Sequence, residues 1–272
     1  MMTGFSPGPP PAWGEARPTA SRRRYWAGVL ITVAAILSQY FVPELVPATL
    51  VLYGNLAGDL LVVYGIPVFA FLLLVGAGPL RDGLHHLGRA TNEGLSWYGM
   101  LSLLALLVLV VLVVLYDLVD PSALQLLQRT NPALAQATSD PWLFVALSFL
   151  VGAFEETIFR GWIFGYWRDV PGSWIGPATW TSVVFAGVHL YYGFTYGAAS
   201  PLIFPTLFLT GFALAATYRY SGGNLLVPAL LHGENDASAY LTIPLGWVGD
   251  AIHYGVILVG AAWALALHLT RA

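Results

Sequence analysis

Long apolar runs separated by short polar breaks dominate the chain. They predict helical spans at 25–42, 48–77, 95–116, 141–166, 174–192, 199–219, 223–241 and 251–269, since about 20 apolar residues cross a hydrocarbon layer about 30 Å thick. The second run is longer than a perpendicular crossing needs, so it is expected to tilt or to kink near Pro67. The seventh is interrupted by His232, Gly233, Glu234, Asn235 and Asp236. Five polar or small residues in succession predict a helix that ends or unwinds beside water. Residues 1–24, rich in Pro, Gly, Ala and Arg, read as a disordered tail. The run after them is long for a signal peptide and is read as a retained first span. Residues 117–140, with Pro121, Asn131 and Pro132, read as the longest external loop. No internal repeat is evident, which weakens a repeat-built transporter.

This pattern predicts an all-α, polytopic transmembrane helix bundle of about eight spans. Its parts are a tail (1–24), N-terminal helices with an external loop (25–140) and a helical core (141–272). Composition agrees. Hydrophobic residues make up 57% of the chain and charged residues only 9%, against about 25% charged in soluble domains. All eleven basic residues are Arg, and no basic stripe points to nucleic acid. With the N-terminus in the cytoplasm and eight crossings, Arg17, Arg22, Arg23, Arg24, Arg81, Arg89, Arg168, Arg219 and Arg271 all fall inside. Only Arg129 falls outside, and Arg160 lies within a span. The positive-inside rule therefore predicts a multi-pass protein of the cell membrane with both termini cytoplasmic. The chain has no cysteine, which excludes disulfides, thiolate metal ligands and a cysteine nucleophile.

Ionisable residues within spans are costly, at about 2.5–3.5 kcal/mol each near a helix centre on insertion scales. They concentrate in spans four to seven. Glu156 and Arg160 are four apart, so they share a helix face and can form an ion pair. Glu155 has no such partner in its own helix and is the candidate general base. His189 ends an apolar stretch of span five. In span seven His232, Asn235 and Asp236 share a face if the helix continues. Together these residues can hold and activate a water and can donate to an oxyanion. Elsewhere, Asn55 and Asp59 beside Gly54 and Gly58 read as helix packing. His253 and His268 read as interfacial, and His85 and His86 as residues of a cytoplasmic loop.

The motifs Glu155-Glu156-x-x-x-Arg160, Phe185-x-x-x-His189 and His232 followed by Asn235 and Asp236 resemble those of the CPBP family of intramembrane proteases. That family includes the type II CAAX prenyl endopeptidases and bacteriocin-processing or immunity proteins. The approach Gly222-Gly223-Asn224-Leu225-Leu226-Val227-Pro228-Ala229 is also similar. The resemblance covers about 140–242 and implies that 141–272 is a catalytic membrane core. It implies Glu155 as the base for a water, His189 as its positioner, and His232 with Asn235 or Asp236 as oxyanion support. Glu156 and Arg160 would brace the site. The family's usual residue four after the last His is Asn, where this chain has Asp236. An ionised Asp there opposes a developing negative charge, and Asn235 would substitute through local unwinding.

The expected activity is therefore an intramembrane endopeptidase acting on a membrane-anchored or membrane-embedded peptide or protein in the lipid bilayer. A glutamate mechanism requires no cofactor. A second reading adds a divalent metal such as zinc, held by Glu155, His189 and His232. A third is non-enzymatic: an ion or proton transporter, or an immunity scaffold. With the topology above, the site is expected to open toward the outer half of the membrane.

Overall fold

The computed structural model describes residues 78–119, 141–165, 174–189 and 200–271, most of 25–34, and Phe69 and Leu73. The tail, most of the first two expected spans, the Asn55/Asp59 face and the external loop beyond residue 119 lie outside the described residues. Six helices form the rest, with no strand among the described residues: α1 (Gly78–Val119), α2 (Pro141–Glu156), α3 (Ile175–Val188), α4 (Ser200–Tyr220), α5 (Leu226–Leu245) and α6 (Trp247–Arg271). At Thr157 helix α2 runs without a break into a wider π-helical segment that extends to Phe164.

The bundle is all-α. Among the described residues, three stretches are long and apolar enough to cross a membrane: Asn92–Leu115, Trp142–Phe164 and Trp247–Thr270. Their outer faces carry large exposed apolar side chains, including Leu107, Val111 and Val114 on α1 and Leu258, Val259 and Leu265 on α6. Such faces are suited to lipid rather than water. One boundary differs sharply from expectation. Helix α1 begins at Gly78 and is 42 residues long, about 60 Å at 1.5 Å per residue. His85 and His86 therefore lie in a helix, not a loop. The polar composition of 78–91 hides this helix from an apolar-run reading.

Helix α5 packs most extensively on α2, and α1 lies against both α4 and α6. Two close crossings depend on glycine. A methyl at Gly152 would come 2.8 Å from the backbone nitrogen of Gly233, and one at Gly233 would come 2.7 Å from the Cα of Phe149. Gly99 of α1 and Gly260 of α6 meet in the same backbone-to-backbone way. Small residues at such crossings let helices approach closely where lipid gives no hydrophobic drive.

A tight turn joins α4 to α5. Gly222 and Gly223 adopt φ of 73° and 80°, a region that side-chain-bearing residues avoid. Gly223 N–H donates to Tyr218 O at 2.9 Å, closing the end of α4. Asn224 Oδ1 then accepts from Leu226 N–H at 3.0 Å and caps α5.

From that cap α5 runs continuously to Leu245. The break expected at 232–236 does not occur. Gly233 is a contact point with α2 rather than a helix breaker, and His232 and Glu234 on either side of it find partners on neighbouring helices.

Candidate active site

The last turn of α2 carries Glu155 and Glu156, and the π segment carries Arg160. Arg160 and Glu156 are fully buried, and Nη1 meets Glu156 Oε1 at 2.7 Å. Arg160 Nη2 donates to the carbonyl of Gly211 in α4 at 2.7 Å. The guanidinium also lies 5.0 Å from the Phe185 ring centroid and 5.9 Å from that of Phe159, within the range of cation–π attraction. A buried Arg is tolerable only when so enclosed. Thus the pair expected from the i, i+4 spacing is present, and it ties α2 to α4.

Glu156 Oε1 serves a second partner. His232 Nδ1 of α5 lies 2.8 Å from it. A carboxylate that already accepts from Arg160 has no proton to give, so His232 Nδ1 donates. The other ring nitrogen then faces Glu155: His232 Nε2 lies 3.8 Å from Glu155 Oε2. His189, at the end of α3, follows the same pattern. Its Nδ1 lies 2.6 Å from the carbonyl oxygen of Phe185, which can only accept. Its Nε2 lies 3.9 Å from Glu155 Oε1. In both imidazoles the outer nitrogen is anchored, and this fixes the orientation of the inner one.

Glu155 is buried at 6% exposure. Its two oxygens stand opposite two Nε2 atoms at separations too long for direct hydrogen bonds and of the size one water bridges. Phe185 is the common wall. Its ring lies 4.7 Å from the His189 ring and 5.8 Å from the His232 ring.

Asp236 lies one turn beyond His232 because α5 is continuous. Its Oδ2 is 3.5 Å from His232 Nε2, and its side chain is 35% exposed, so it stands at the open edge of the cluster. Asn235 is about 100° around the helix from Asp236. Its amide donates to Asp236 Oδ1 at 3.3 Å, so no local unwinding brings it to Glu155. Of the sequence candidates, Glu155, Glu156, Arg160, His189, His232 and Asp236 are brought together. Asn235 joins through Asp236.

Among the described residues, no group of three or more His, Cys, Asp or Glu side chains is set closely enough to hold a metal ion. Glu155, His189 and His232 are not such a group in this arrangement, the two Nε2 atoms lying 3.9 and 3.8 Å from the Glu155 oxygens.

Sequence reasoning missed three features. Phe185 was quoted only as part of a motif, yet it touches both imidazoles and Arg160. Gly152 and Gly233 set how closely the two site helices approach. His253 has a partner on α5: its Nδ1 lies 3.2 Å from Glu234 Oε1. A glycine flanked by His and Glu was the available signal for the second, and nothing in the local sequence marked the third.

A carboxylate thus faces two oriented imidazoles on helices that suit a bilayer. Residues 137–238 match the family model described as type II CAAX prenyl endopeptidase Rce1-like. Over that stretch the chain is similar to the CAAX-type membrane endopeptidases. No curated protein and no solved structure gives a significant match.

Proposed function

We propose that this protein is a glutamate-dependent intramembrane endopeptidase. The observation that supports this best is the convergence of His189 Nε2 and His232 Nε2 on the two oxygens of Glu155, at 3.9 and 3.8 Å. A water between Glu155 and His189 loses its proton to Glu155 and attacks the scissile carbonyl carbon. The carbonyl oxygen becomes an oxyanion. Protonated His232, with Nδ1–H held by Glu156, donates Nε2–H to it. The C–N bond then breaks, Glu155 returns its proton to the leaving amine, and a new carboxyl group remains. No covalent intermediate forms. Asp236 balances the charge of the His232 imidazolium at rest, and Asn235 steadies Asp236. Arg160 holds Glu156 in place.

The substrate class is a peptide or protein anchored or embedded in the membrane. The topology that goes with this reading keeps both termini cytoplasmic and opens the site toward the outer half of the bilayer. The decisive experiment replaces Glu155 with Gln, matches expression and insertion, and compares the membrane peptidomes of cells carrying each form. A membrane-anchored peptide processed only by the parent protein supports the reading and identifies the substrate. If no peptide differs while a phenotype of the parent persists in the variant, catalysis by Glu155 is refuted and the transport or scaffold reading replaces it.

A further inference from the structure

Three consecutive residues of α5 are held from different directions. His232 is held by Glu156 of α2 at 2.8 Å. Gly233 abuts the backbone of Phe149, also on α2. Glu234, about 100° further round, meets His253 Nδ1 of α6 at 3.2 Å. Both side chains of this last pair are largely enclosed, at 15% and 17% exposure. From α1, the Tyr98 hydroxyl reaches the carbonyl of Leu231 at 3.5 Å.

A carboxylate and an imidazole inside an apolar bundle are costly features that need a role. The hydrolytic steps above use neither. Their placement supplies one. The contacts of α5 with α2 pull on one side of the helix only. A roll of α5 about its axis would carry His232 Nε2 away from Glu155. The Glu234–His253 contact acts on another side, at the adjacent residue. A side-chain tip lies about 5–6 Å from the helix axis, so a roll of about 10° moves it about 1 Å. A 1 Å misplacement of a reacting group can lower a rate about 100-fold.

We infer that Glu234 and His253 are positioning residues, whose contact fixes the rotation of α5 and so aims the His232 imidazole at Glu155. The inference rests on the peptidase reading for its kinetic part only. Glu234→Gln keeps an oxygen that accepts from His253 Nδ1–H. Glu234→Leu removes the acceptor while remaining well suited to an apolar bundle.

The test uses the full chain in lipid nanodiscs, labelled with ¹⁵N-histidine, with the His232 signals assigned by their loss in His232→Gln. Glu234→Leu should shift or broaden the His232 Nδ1 signal. It should also lower kcat about 10- to 100-fold, with KM unchanged, on the peptide that the Glu155→Gln comparison identifies. Glu234→Gln should retain the parental spectrum and most of the turnover. His253→Leu, made from the α6 side, should reproduce Glu234→Leu and decides the matter if that variant does not fold.

The inference is overturned if the folded leucine variants keep the parental His232 signal, or if Glu234→Gln falls as far as Glu234→Leu. If Glu155→Gln alters no peptide, the peptidase reading fails by itself, and the His232 spectrum alone still judges the positioning role.

Discussion

Replacing Gly233 with alanine adds one methyl group at the tightest point between α2 and α5. That carbon would lie 2.5 Å from Phe149 Cδ1, 2.7 Å from its Cα and 2.9 Å from its Cγ. Comfortable carbon–carbon contact is about 3.5–4.0 Å. The ring can turn, but Cα belongs to the backbone and cannot, so the helices must part or roll by about 1 Å. Alanine favours helix over glycine by about 1 kcal/mol, whereas overpacking costs about 1–3 kcal/mol. The steric term wins. The same displacement would stretch the 2.8 Å contact between His232 and Glu156 beyond hydrogen-bond range. Turnover should fall about 100-fold, with a loss of up to about 2 kcal/mol in stability after the helix gain is set against the clash. Gly255→Ala is the internal control, because nothing lies within 4 Å of a methyl there. Unfolding in detergent, followed by intrinsic tryptophan fluorescence, and cleavage of the identified peptide would be measured on both variants. Equal stability and equal turnover in the two would refute the close-crossing argument.

Other perturbations test the remaining parts. Glu156→Ala leaves the buried Arg160 uncompensated and should cost about 3–5 kcal/mol, read as loss of folded protein in detergent. Arg160→Lys cannot bond Glu156 and Gly211 together with a planar fork, and should lower both stability and turnover in the same assays. Asp236→Asn keeps an oxygen near His232 Nε2 and should stay within about tenfold of parental turnover, whereas Asp236→Leu should lose about 10- to 100-fold, the size of a hydrogen bond to a charged group. Turnover should withstand exhaustive chelation, and a loss reversed by zinc would instead establish a metal-dependent route. Because the chain lacks cysteine, single thiols introduced at positions 130 and 195 report topology without background. Labelling of both from the cytoplasmic side only would overturn the proposed orientation.

What was legible in the sequence depended on whether an interaction closes within one helix. Glu156 and Arg160 are four apart, and that spacing alone foretold their contact. The same rule put Asp236 on the face of His232. The family motifs brought Glu155, His189 and His232 to notice, and residues 137–238 match the corresponding family model. Partners across helices were not legible. His253 is 19 residues from Glu234 in sequence, and periodicity says nothing of which faces meet. Gly233 among polar residues reads as a break, because a sequence shows the missing side chain but not the neighbouring backbone that requires it. The π segment was likewise invisible: Thr157–Phe164 has ordinary helical composition, and its wider winding comes with packing against Tyr25, Val29 and Phe185. The polar start of α1 escaped for the opposite reason, since a helix that continues beyond the apolar stretch leaves no apolar signature.

The glycine turn between α4 and α5 has a consequence at a distance. It makes the two helices the arms of one clasp. One arm presents the Gly211 carbonyl to Arg160, and the other presents His232 to Glu156. The clasp therefore closes on both members of a single ion pair, and once one arm has engaged, the other faces its target at the high effective concentration of a tethered group. A residue inserted at Gly222 or Gly223 would disturb both jaws at once, although neither glycine touches the site.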